Sequence, residues 1–149
     1  MLAIGSDHAA RGYKDNIKSY LKTHGIDYVD VGAHDDASCD YPDFALKVAE
    51  KVASGECEKG ILVCGTGIGM SIAANKVRGI RCALCPDVFS AVATRRHNDA
   101  NVLALGERTM GMGNVLDIVE AFLTTPFSGD ERHVRRIAKI SEIENKYFK

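Results

Sequence analysis

Ile61-Leu62-Val63-Cys64 runs without a break into Gly65-Thr66-Gly67-Ile68-Gly69, so an apolar strand ends in a glycine-rich turn that feeds a small-residue helix, Ser71–Lys76. A chain that repeats such a junction has few ways to fold, because each helix must carry the backbone back across a sheet to the next parallel strand. The repeat is present. Leu2–Ser6, Tyr28–Val31, Arg81–Cys85 and Asn101–Leu105 are four further apolar runs of strand length. Between them, Tyr13, Ile17, Tyr20 and Leu21 recur at helical spacing before a stop at His24-Gly25. Phe44, Val48 and Val52 share one face of a second helix, for which Asp43 is the expected N-cap. Val88–Arg96 and Asn114–Leu123 follow as helices, and Pro126 and Gly129 break the chain before a long last one, Glu131–Tyr147. Its Val134, Ile137, Ile140, Ile143 and Tyr147 fall at steps of three or four and make one stripe. The expectation is one domain over residues 1–149, a Rossmann-like three-layer α/β/α sandwich with a five-stranded parallel sheet and a long C-terminal helix.

Composition narrows the function. The 149 residues carry 19 Lys+Arg against 20 Asp+Glu, a formal net charge of −1. That balance lacks the basic excess that nucleic acids or anionic membranes would call for, so neither is an expected partner. There is no stretch of about 18 apolar residues to span a bilayer, and Met1–Ser6 does not read as a secretory leader, which points to the cytoplasm. The five cysteines (Cys39, Cys57, Cys64, Cys82 and Cys85) are an odd set and are expected as free thiols. Cys82 and Cys85 form a C-x-x-C, but within a strand residues three apart point to opposite faces. No second pair stands at zinc-site spacing. They are expected as structural thiols, a redox sensor ranks last, and no metal or other cofactor is expected.

In open α/β sheets, ligands bind beyond the carboxyl ends of the strands. The alternating glycines of Gly65–Gly69 let backbone N–H groups converge on an anion in front of a helix N-terminus. They equally suit a tight turn, or a dinucleotide loop with Asp87 as its ribose acid, although that fingerprint needs glycine where Met70 stands. Cys64 stands at the mouth of this loop, where the helix dipole favours a thiolate that could act as nucleophile or general base. The loop N–H groups and the Thr66 hydroxyl could then hold an oxyanion. A thiol in that position also suits a core. Asp7-His8 leaves the first strand as either a helix cap or a titratable pair. His97-Asn98-Asp99 ends the fourth helix, where a cationic ring would also complement the dipole. Arg132, Arg135 and Arg136 open the last helix, where cations are unfavourable without an anion, and Arg132 and Arg136 share a face. They either pair with Asp130, Glu131 or a neighbouring chain, or clamp a phosphate. His24 and His34 are expected in exposed turns.

Taken together, Gly5-Ser6-Asp7-His8-Ala9, Asp40-Tyr41-Pro42, Cys64 through Lys76, Gly79-Ile80-Arg81 and His97 through Leu103 resemble the B-type ribose-5-phosphate isomerases and their relatives acting on allose and galactose 6-phosphates. The resemblance runs over nearly the whole chain in one motif order. It implies strand order 2-1-3-5-4, no metal, and interconversion of ribose 5-phosphate and ribulose 5-phosphate through a cis-enediolate. It further implies Cys64 as the base between C1 and C2, with Thr66 and the N–H groups of Gly65, Gly67, Ile68 and Gly69 around the enediolate. His97 would assist ring opening, and Asp7 would orient sugar hydroxyls with Tyr41 nearby. His8, Arg132 and Arg136 would take the phosphate, with Asn98 and Arg108 completing the site. The family is typically dimeric, with dimers of dimers also in view, and its sites draw on both chains. That implies His97, Asn98 and Arg108 acting on the partner's Cys64. One branch uses a loop Glu as base where this chain has Ile68, and members often carry Gly where it has Ala10.

The residues meet the chemistry halfway. Carbon acids are weak, so a base needs an oxyanion site beside it, and a phosphate clamp supplies binding energy remote from the reacting carbons. A six-carbon aldose 6-phosphate is the alternative substrate. A non-catalytic nucleotide- or phosphate-binding module is the alternative of a different class.

Overall fold

The computed structural model describes residues 1–149. Its strands are β1 (Leu2–Ser6), β2 (Tyr28–Asp30), β3 (Lys59–Cys64), β4 (Cys82–Leu84) and β5 (Val102–Gly106). They form one parallel sheet in the order β2-β1-β3-β5-β4. The helices are α1 (Arg11–Thr23), α2 (Tyr41–Ala53), α3 (Ile68–Ala74), α4 (Val88–Ala93), α5 (Met112–Thr124) and α6 (Glu131–Tyr147). No helix is long and apolar enough to cross a membrane.

The central strands are buried on both faces, and their side chains alternate between two cores. Ile4, Ile61, Val63, Leu103 and Leu105 pack with Ile17 and Leu21 of α1 and with Val115, Ile118, Val119 and Phe122 of α5. Ala3, Leu62, Cys64 and Val102 face the other way, onto Ala45, Val48 and Ala49 of α2 and Met70 and Ala74 of α3. Each large aliphatic side chain so enclosed contributes about 1.5–3 kcal/mol. The same alternation divides the C-x-x-C pair, with Cys82 against one core and Cys85 in the other. Burial pushes these thiols up to about 12 and about 11.

Several boundaries differ from expectation for local reasons. Asp43 is not the cap of α2, which starts at Tyr41 after Asp40. Asp43 lies in the first turn, where its carboxylate complements the dipole, and Pro42 occupies an early position whose N–H is not needed. Helix α3 begins at Ile68, three residues before Ser71, because Gly67 takes the left-handed conformation (φ +78°) that turns the chain directly into it. Helix α4 ends at Ala93, and Thr94–Asn98 continue as a π-helical turn. Ala10 has φ −96°, which any L-residue adopts, and its methyl group is fully buried, so glycine is not required there.

Two features were not legible in the pattern. Lys14 occupies the buried face of α1 at 1% exposure. Its ammonium donates to Asp30 Oδ1 at 2.9 Å and to the Ala33 carbonyl, while Lys18 donates to Asp30 Oδ2 at 2.8 Å. Burial alone would raise the Asp30 carboxyl, but the two lysines and the Gly32 N–H outweigh it and hold the group below the usual carboxylate range. In α6, the stripe is exposed: Val134, Ile140, Ile143 and Tyr147 all remain open to solvent on the single chain. The helix is pinned at its far end, where Arg78 donates to Asn145 and to the Phe148 carbonyl and Glu144 accepts from the Gly79 N–H.

Candidate active site

Strands β1, β3 and β5 deliver one group of residues to the carboxyl edge of the sheet. Cys64, the last residue of β3, is 5% exposed, and its Sγ accepts a hydrogen bond from the Gly67 N–H at 3.1 Å. Thr66 Oγ1 accepts from the Ile68 N–H at 3.2 Å, which leaves the exposed hydroxyl its own proton to donate. Two N–H groups expected around an anion, those of Gly67 and Ile68, are therefore engaged inside the loop. Those of Gly69 and Met70 lie in the first turn of α3, where no intrahelical acceptor exists. The Tyr41 ring, 42% exposed, lies so close over Gly69 that an added Cβ there would come 2.5 Å from Cζ. Only glycine lets this ring stand beside the loop.

Asp7 and His8 stand next to it. Asp7 donates its N–H to the Val63 carbonyl at 3.2 Å, and its carboxylate accepts from the Ala10 N–H at 2.9 Å, just ahead of α1. His8 Nδ1 accepts from the Cys39 N–H at 3.3 Å with the Cys39 thiol at 3.5 Å. The neutral ring thus carries its proton on Nε2. Arg108, after β5, donates its N–H to the Gly65 carbonyl at 2.9 Å, and its side chain runs alongside Gly65. This corrects the grouping of Arg108 with His97 and Asn98: it follows β5 at the carboxyl end, whereas they precede β5 at the amino end.

His97 and Asn98 are exposed on the π-helical turn. The turn closes at Asp99 (φ +45°), clamped by two arginines. Arg95 donates to the Asp99 carboxylate at 2.9 Å and to the Ala100 carbonyl at 2.6 Å. Arg81 donates to the Asn98 and Asp99 carbonyls, each at 2.9 Å. The His97 ring stacks on His133 of α6 with centroids 4.3 Å apart and planes 13° from parallel. Arg132 and Arg136 flank His133 on the same helix and are exposed; Arg132 meets Asp130 only at 3.8 Å.

These two groups cannot meet within one chain. The β3–β5 register pairs Gly60 with Val102 and Cys64 with Gly106. About 13 Å of strand therefore separates the level of Cys64 from the level at which β5 starts, and His97 lies further back still.

Residues 2–140 match the Ribose/Galactose Isomerase family. The chain belongs to this family. It is accordingly an aldose–ketose isomerase, an intramolecular oxidoreductase. The ribose-5-phosphate isomerase B of Escherichia coli is 43% identical over 145 residues, 97% of each chain. A solved Clostridium thermocellum ribose-5-phosphate isomerase B superposes with a TM-score of 0.96 at 54% identity, covering 98% of both chains. The Mycoplasma genitalium enzyme, solved with ribulose-5-phosphate bound, gives 0.92 at 43% identity, covering 97% of this chain and 96% of that one.

Asp87, the ribose acid of the dinucleotide reading, has a structural role in this fold. Asp87 is occupied as the cap of α4, accepting from the Ser90 N–H at 2.7 Å, which lowers its carboxyl. Sequence reasoning gave no role to Arg81, quoted only within a motif, or to Arg95 and His133; Arg81 and His133 act across long stretches of chain, whereas Arg95 acts on Asp99 and Ala100 close by. Cys39 was noted only as a thiol; its place one residue before the Asp40-Tyr41-Pro42 motif was the available sign.

Proposed function

We propose that the chain interconverts ribose 5-phosphate and ribulose 5-phosphate, and that each site combines the carboxyl edge of one copy with the amino edge of another. The single observation that carries this reading is the Cys64 sulfur at the end of β3, held by the Gly67 N–H beside the Thr66 hydroxyl. The bound ribulose-5-phosphate named for the Mycoplasma genitalium relative supports the five-carbon substrate.

The steps follow from the groups. His97 takes the proton of the anomeric hydroxyl and returns one to the ring oxygen, which breaks the C1–O bond and frees the aldehyde. The Cys64 thiolate removes the C2 proton, and the electron pair moves through C1 onto the aldehyde oxygen. Thr66 and the free N–H groups of the loop stabilise that oxyanion, the larger part of lowering a carbon-acid barrier. The thiol then returns the proton to C1 as the C2 hydroxyl passes its own to the oxyanion on C1, leaving a C1 hydroxyl and the C2 ketone. Asp7 and Tyr41 orient the sugar hydroxyls, and His8, Arg132, Arg136 and Arg108 hold the phosphate, with Asn98 alongside. A homodimer is supported by the exposed apolar stripe of α6, on the helix that carries the arginines.

The test is deuterium exchange at C1 of ribulose 5-phosphate in D₂O, with kcat/KM compared on ribose, allose and galactose phosphates. Exchange with preference for ribose 5-phosphate is expected. No exchange would end the reading, and preference for a six-carbon substrate would replace its substrate.

A further inference from the structure

His133 has no part in the chemistry just described, yet it is 5% exposed and its Nε2 is buried without a hydrogen-bond partner. Leaving a buried imidazole nitrogen unsatisfied costs stability, and a histidine kept for core packing alone would ordinarily be bonded. Its ring does one thing within the chain. It lies flat against His97, centroids 4.3 Å apart and 13° from parallel.

We propose that His133 is a positioning residue for ring opening: its buried face is the seat that fixes the plane and rotamer of the His97 ring. This rests on the reading of His97 as the ring-opening group. The backbone of His97 is set by a turn that Arg81 and Arg95 clamp at Asn98, Asp99 and Ala100. Those contacts hold the main chain but leave the exposed side chain free to rotate, and His133 is the group that restrains it. The role belongs to the ring face rather than to a nitrogen, since Nε2 bonds to nothing. Burial, then His97 and Arg132, hold the His133 imidazole below its ordinary range; Asp130 opposes this and Arg136 adds to it. The seat is therefore uncharged at neutral pH, so a proton arriving on His97 meets no second charge beneath it.

Ring opening and proton transfer can be read separately, because ribulose 5-phosphate is open-chain and exchanges its C1 proton without any ring step. His133→Ala should lower turnover of ribose 5-phosphate by about tenfold or more, the scale of a misplaced catalytic group, while C1 exchange stays within about twofold of the parent. His133→Phe keeps a flat face and should restore most of the turnover. Equal loss of both rates in His133→Ala, unchanged turnover, or failure of His133→Phe to restore a well-folded enzyme would each overturn the proposal. The last would assign the role to the nitrogen. His97→Ala separates the underlying reading: if it turns over ribose 5-phosphate normally, His97 is not the ring-opening group, whatever His133 does.

Discussion

At the carboxyl edge of the sheet, the groups around Cys64 come from three strand ends but are held largely by backbone: Gly67 N–H to Sγ, Ile68 N–H to Thr66, Arg108 N–H to Gly65. At the amino edge, His97 and Asn98 depend instead on side chains, Arg95 from the same turn and Arg81 and His133 from distant positions. One edge has the Cys64 thiol and the loop donors proposed as base and oxyanion site. The other has the exposed arginines and the second titratable ring. A single chain therefore has the parts of an isomerase but holds them on opposite ends of its strands. A symmetric pair of chains is the simplest arrangement that joins unlike surfaces twice over.

The largest effect should come from the carboxyl edge. Cys64→Ala is expected to lower both isomerisation and C1 exchange on the order of 10³-fold, with unchanged circular dichroism and unchanged binding of substrate by calorimetry. Substantial remaining exchange would move the base elsewhere. Next is the support behind that edge. Asp30→Asn leaves the Lys14 ammonium buried without its carboxylate and should cost about 3 kcal/mol in urea unfolding. The sign of its pH dependence follows from a folded pKa below the unfolded one. The stabilisation is present above about pH 4 and disappears as the pH falls through the lower folded value. The variant should lose that part of the acid limb.

The amino edge should respond differently. Arg136→Ala removes the proposed charge-assisted phosphate contact and should reduce kcat/KM by roughly 10–100-fold, while C1 exchange at saturating ribulose 5-phosphate falls less. Equal losses would mean that the arginine serves the reacting carbons. The smallest effect belongs to the C-x-x-C pair. Cys82→Ala and Cys85→Ala should leave kcat within about twofold of the parent, because the two thiols pack in separate cores and bond to none of the site residues. Their raised pKa values should also keep them unreactive to iodoacetamide at pH 8 in the folded enzyme, checked by mass spectrometry.

What could be read from the sequence follows the same division. The strands, the junction at Cys64 and the full span of Glu131–Tyr147 were legible because alternation, glycine spacing and helical stripes are local. The start of α3 was misplaced because the left-handed turn at Gly67 cannot be told from an ordinary loop residue. The end of α4 was extended into Arg96 because a π-helical turn has no distinct residue pattern. Nothing local marks Lys14 as buried, because its partner Asp30 is sixteen residues away, and His133 stands among arginines with its own partner, His97, far off in the chain. The grouping of Arg108 with His97 failed because spacing along the chain does not tell which end of a strand a residue follows.

Mixing two inactive proteins tests the shared site most directly. Cys64→Ala and His97→Ala, dissociated together and reassociated, should regain about a quarter of the parent activity, since half of randomly formed dimers are mixed and each of those has one intact site. Activity that stays at the level of the separate variants, in a sample shown to contain mixed dimers, would contradict a site built from both edges.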